Sequence, residues 1–160
     1  MAIKSILKKP AVEKEFRVNE QKWTKPLMDA GWTAIPTIIV ERQRALRLDS
    51  LDVNILLHLA SYWWTADNKP HPSKKTLAEA MGVNSRTIQR HIAEMEKDGI
   101  ISREQRRIKG QGSKTNKYHF DGLIKAALPF AKEKLKERKE REDEAKRKAS
   151  RKRPRLEVVE

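Results

Sequence analysis

SKKTLAEAMGVNSRTIQRHIAEMEKDG, residues 73–99, holds two helical patterns on either side of Gly82. Ser73 is a natural N-cap, because its hydroxyl can accept an otherwise orphaned backbone N–H, and Gly82 sits where the chain must leave the first helix. Asn84 caps the second. Leu77 and Met81 are four apart, and Ala78 is small enough to let the second helix cross closely over it. In that second helix Ile88, Ile92 and Met95 recur at i, i+4 and i+7, so they form one buried stripe. At about 100° per residue, Arg86, Arg90 and Lys97 project from the opposite side, with Gln89 and Thr87 on the flanks. The spacing predicts a helix-turn-helix whose second helix, about 84–97, turns an almost purely cationic and amide face outward. Lysine and arginine are exposed in any protein, so this face alone also fits a solvated surface.

The residues that follow weigh against that plainer reading. Residues 100–108 and 115–120 are strand-like runs flanking a tip, Lys109-Gly110-Gln111-Gly112-Ser113-Lys114, as a β-hairpin needs. Ile108, Tyr118 and Phe120 can seat the hairpin on the helices. Arg106, Arg107, Lys109, Lys114 and Lys117 are expected around its free end. A flexible cationic tip suits a phosphate backbone, which offers charge at regular spacing whatever the base sequence.

With the hairpin added, the chain resembles the winged helix-turn-helix family, through PS-x-x-TLAEAMGVNSRTIQRHIAEMEKDGII and the basic hairpin. More narrowly, it is similar to small helix-turn-helix proteins of bacterial plasmids, phages and integrative elements, some of them replication initiators and others regulators. Gly31-Trp32-Thr33-Ala34-Ile35-Pro36, Trp63-Trp64, Pro70-His71-Pro72-Ser73 and Arg86-Thr87-Ile88-Gln89-Arg90 carry that likeness, over about 23–128. The resemblance implies a mainly α fold with a small β-hairpin wing and charged extensions at both ends. It also implies double-stranded DNA as partner, with the second helix in the major groove and the wing, about 101–120, on phosphates. Ser85, Arg86, Thr87, Gln89 and Arg90 are then the expected base readers; Ser73, Lys74, Lys75, Lys97, Arg106, Arg107, Lys109, Lys114 and Lys117 are the expected phosphate contacts. The family pattern often has an aliphatic residue nine positions after the turn glycine. This chain has His91, read as a half-buried, hydrogen-bonded side chain.

Composition agrees with a polyanionic partner. The 160 residues carry a formal charge of +14. Residues 22–129 hold 18 basic and 11 acidic side chains, and residues 130–160 hold 13 and 8, so the expected domain is basic without its tail. Zero cysteines exclude disulfides, a thiol nucleophile and cysteine-ligated zinc. The apolar runs are too short for a membrane span, and no signal-peptide pattern opens the chain, so a cytoplasmic, nucleoid-associated protein is expected.

Three segments follow: a flexible arm over 1–21, the DNA-binding domain over 22–129, and a charged helical or disordered tail over 130–160. Trp23 and Trp32 read as packing anchors, as do Trp63 and Trp64 at the end of an apolar helix. Pro36 suits a first helical position, opening a helix to about Arg47. Asp49, with Asp52 three residues on, caps a helix over 51–64 whose Val53, Leu56, Leu57, Ala60 and Trp63 face the core. His71-Pro72 is expected beside the wing. A helix after Phe120 is interrupted at Pro129, and Ile124, Leu128, Ala131 and Leu135, spaced 4, 3 and 4, form a short seam that suits a homodimer. The tail cations Lys146, Arg147, Lys148, Arg151, Lys152, Arg153 and Arg155 stand without an acid among them, as non-specific nucleic-acid tethers do.

Catalytic chemistry finds no support. His58, His71, His91 and His119 lie on different elements with no metal-ligand spacing, and Gly110-Gln111-Gly112 lacks the ending of a phosphate loop. No metal, cofactor or enzymatic activity is expected. A transcriptional regulator leads, ahead of a replication-initiation or plasmid-maintenance factor and of an accessory protein docked on a replication, transcription or DNA-transfer machinery.

Overall fold

The computed structural model describes residues 18–108 and 112–151. Its elements are α1 (Lys25–Ala30), α2 (Thr37–Glu41), α3 (Ser50–Ser61), α4 (Lys74–Met81), α5 (Ser85–Lys97), β1 (Ser102–Ile108), β2 (Gly112–His119) and α6 (Asp121–Ser150). This is a winged helix-turn-helix, mainly α with one antiparallel hairpin. Residues 18–23, which overlap the end of the expected arm, are also helical; residues 1–17 lie outside the described residues.

The core is built where α3, α4 and α5 meet. Ile55, Leu56 and Leu59 of α3, Leu77 and Ala78 of α4, and Ile88, Ile92 and Met95 of α5 are buried together. The wing adds Ile100, Ile101, Tyr118 and Phe120, and α6 adds Leu123 and Ala127. Ile88, Ile92 and Met95 are the stripe their spacing requires.

Four local expectations need correction. The helix at Pro36 stops at Glu41 and turns follow to Arg47, whose φ is 56°. Those turns bury both Leu46 and Leu48, which are two apart and could not share one helix face. On α3 the buried face is Asp52, Ile55, Leu56 and Leu59; Leu57 is exposed, while Val53, Ala60 and Trp63 are partly buried. A helix apolar on most sides has no unique stripe, and the pairing of Asp52 with α5 fixes its rotation. Trp23, Trp32 and Trp64 are exposed, because α1 is six residues long and buries only Met28. Trp63 alone of the four packs inward, stacked on Phe120 with ring centroids 5.0 Å apart. Finally, α6 runs unbroken through Pro129, which is exposed, so a carbonyl freed by the missing N–H faces water. The boundary drawn at 129 therefore falls inside a helix. Among the described residues no helix is long and apolar enough to cross a membrane.

Candidate nucleic-acid interface

Three caps set the geometry of the motif. Ser73 Oγ accepts the Thr76 N–H at 2.9 Å, and Asn84 Oδ1 accepts the Arg86 N–H at 2.8 Å. Between them Gly82 takes φ 65°, and the Val83 N–H donates to the Ala78 carbonyl at 3.0 Å. These bonds leave α5 starting at solvent, with its first two turns unobstructed.

Asn84, Arg86, Thr87, Gln89, Arg90 and Ala93 line one concave patch on that exposed part of α5. Four of the five expected base readers thus come together. Ser85 is exposed at the first helical position but outside the patch. Lys97 is exposed in the last turn, and Glu94 is exposed between it and Arg90. Glu94 thus separates Lys97 from the cationic and amide patch in the N-terminal half of α5.

Two clamps orient this helix. His91 is buried rather than half-buried, and its Nδ1 lies 2.8 Å from Asp52 Oδ1. Asp52 Oδ2 accepts the Asp49 N–H at 2.9 Å while Asp49 Oδ1 accepts the Asp52 N–H at 2.8 Å, a capping box that also anchors α5 on α3. Among the described residues Asp49, Asp52 and His91 form the single group with metal-ligand proximity. The bonds within it already engage the ring nitrogen and both Asp52 oxygens. At the other end, Glu96 accepts from Arg103 through the backbone N–H at 3.2 Å, through Nε at 2.9 Å and through a terminal guanidinium nitrogen. The Arg103 guanidinium holds the Glu96 carboxyl below its ordinary range against the opposing effect of burial. The partners are 39 and 7 residues apart, and no local pattern marks either pair.

In the wing, β1 and β2 pair antiparallel, with Arg106 opposite Lys114, Glu104 opposite Lys117, and an irregularity between Glu104 and Arg106. The second strand starts at Gly112, earlier than expected. Lys114 is exposed toward the free end. Arg106 is tied across the hairpin, donating from Nε to the Thr115 carbonyl at 2.9 Å and to Thr115 Oγ1 at 3.1 Å. Lys117 is not at the tip: it lies farther down the strand, 3.6 Å from Glu104, which also meets His119 at 3.1 Å. Lys109 and the Arg107 side chain lie outside what the structure describes. The base of the wing is fastened by the Tyr118 N–H donating to the Pro70 carbonyl at 2.8 Å, so Pro70 makes the contact expected of His71-Pro72.

On α4, Lys74 and Lys75 stand in the first turn, and Lys75 reaches Glu79 at 3.8 Å. The Ser73 hydroxyl is committed to its cap and to Thr76 Oγ1 at 2.8 Å. Of the tail cations, Lys146, Arg147 and Lys148 are helical at the end of α6, and Arg151 follows as its C-cap; Lys152, Arg153 and Arg155 lie outside the described residues.

Comparison with known proteins agrees with this architecture. Residues 46–101, which span α3, α4 and α5, match the family model described as a helix-turn-helix domain, a type of domain that points to DNA binding. No curated protein matches the chain. Among solved structures, it is similar to the N-terminal domain of DnaD protein from Geobacillus kaustophilus HTA426, at 19% identity, covering 78% of this chain and 96% of that one, with a TM-score of 0.51. At that identity the likeness is one of fold.

Proposed function

We propose that this protein is a sequence-specific double-stranded DNA-binding protein, a transcriptional regulator of a mobile element acting in the cytoplasm on the nucleoid, and not an enzyme. The observation that carries the reading is the concave Arg86, Thr87, Gln89 and Arg90 patch, presented by a helix whose opposite side is buried. Guanidinium and carboxamide groups can each make two parallel hydrogen bonds to a purine edge in the major groove. Lys74, Lys75 and Lys114 supply charge on neighbouring elements, where phosphates would flank an inserted helix.

Selection of bound genomic fragments followed by footprinting tests this. Recovery of one enriched motif overlapping a promoter is expected. An array of direct repeats beside an AT-rich stretch would instead indicate a replication or maintenance factor, and equal affinity for random duplex would end the specific reading altogether. On the selected site, Arg90→Ala should cost about 1 to 3 kcal/mol, with less loss on random DNA and relaxed preference at one base pair. Lys114→Ala should weaken both duplexes alike and lower the log-affinity against log-salt slope by about one unit. Binding isotherms at several salt concentrations separate the two; interchangeable profiles would show that α5 is not the reading element.

A further inference from the structure

Helix α6 presents an apolar row that the other described residues do not cover. Ile124, Leu128 and Leu135 are 50%, 49% and 64% exposed, with partly buried Ala131 in the same row. Their 4, 3, 4 spacing places all four within roughly 60° of arc over about 17 Å of helix. That is the width of a coiled-coil seam, narrower than the broad apolar face with which a helix lies on lipid. Ala131 and Leu135 also form one wall of a groove whose other wall includes Ile38 of α2 and its C-cap Arg42. The row is held at a set angle to the domain, because Leu123 and Ala127 are buried, Lys134 binds Glu41 at 2.6 Å, and Arg42 lies 3.8 Å from Glu133.

The flanks decide what fits. Lys125, Lys132 and Lys139 repeat every seven residues along the outward edge, and among the described residues none has an acidic partner. The inner edge carries Lys134, Arg138 and Arg141, matched by Glu41, Glu142 and Glu137. A second copy of this helix would bring cations against the unmatched cations, in parallel or antiparallel register. Charge therefore argues against the homodimer that the seam suggested. We propose that the Ile124–Leu135 face of α6 docks an amphipathic helix of a protein partner that has apolar seam residues and acidic flanks.

Two labelled synthetic peptides of roughly three heptads test this on the full chain. Both carry Leu and Ile at the seam; one has Glu and the other Lys at the flanking positions. The acidic peptide should bind at least about tenfold more tightly, and Leu128→Glu/Leu135→Glu should lower its affinity by about tenfold or more. Both leucines are exposed, so the fold should persist; an unchanged circular dichroism spectrum and unchanged duplex binding check that. Lys125→Glu/Lys132→Glu/Lys139→Glu should move the preference toward the basic peptide, a reversal that a structural role would not produce. The proposal is overturned if neither peptide binds or if both bind equally. It is also overturned if binding survives the leucine changes and is competed away by duplex DNA, which would place the peptide on α5. Sedimentation showing a dimer that the leucine changes dissolve would assign the face to self-association instead. Capture by anionic vesicles, lost in the leucine variant while the peptides stay unbound, would assign it to lipid.

Discussion

Glu96 lies outside the reading patch and ties its helix to the wing. Its carboxylate takes three donors from Arg103, joining the last turn of α5 to the first residues of the wing. The guanidinium favours the ionised carboxylate more than burial disfavours it, so the folded pKa lies below the ordinary 4.5. A depressed carboxylate pKa contributes stability that is complete above the unfolded value and is lost as pH falls through the folded one. Asp49 acts in the same direction: burial opposes the shift, but the Asp52 N–H and the neighbouring His91 outweigh it. Glu96→Gln should therefore lower stability by about 1 kcal/mol near neutrality, a modest figure because the Glu96 side chain is 34% exposed. Urea denaturation of both proteins should show the difference shrinking as pH drops below about 4.5. A difference that stayed constant to low pH would mean that shape, not charge, is what Glu96 contributes.

At the scale of elements, the junction of α5, β1 and α6 depends on a glycine used for closeness rather than for its backbone freedom. A Cβ at Gly122 would lie 1.8 Å from the Gly99 carbonyl oxygen and 2.9 Å from that of Ile100. Beside it the Leu123 N–H donates to Ile100 at 2.7 Å, so α6 starts directly on the turn that leaves the recognition helix. Gly82 differs: its φ of 65° favours glycine, but a Cβ there would meet open space. Gly122→Ala must push backbone from backbone and should cost roughly 2 to 3 kcal/mol, on the order of 5 to 12 °C in Tm. Gly82→Ala should cost about 1 kcal/mol. Thermal melts of the two variants check the order, and a larger loss at Gly82 would contradict the close approach.

Across the whole molecule, α6 extends about 45 Å and carries Lys146, Arg147 and Lys148 in its last turns. Cations on this exposed end of the helix can meet phosphates whatever the base sequence. Truncation after Ala145 should therefore weaken specific and random duplex binding by similar factors and flatten the salt dependence, as titrations at several salt concentrations would show. A changed sequence preference would mean that the tail reads bases. Local chemistry made much of this legible in the chain alone. The caps at Ser73, Asn84 and Asp49, the glycine turn and the Ile88, Ile92 and Met95 stripe depend on neighbours within a few residues, so sequence by itself determined the helix-turn-helix and its outward arginines. Tertiary packing decided the rest. The rotation of α3 depends on a histidine 39 residues away, and the fate of the tryptophans depends on how little α1 covers. Helix α6 passes through Pro129 because the residues before it are anchored in the core and the lost bond falls at solvent. Burial and pairing across long separations leave no periodic trace, and for that reason only the assembled structure shows them.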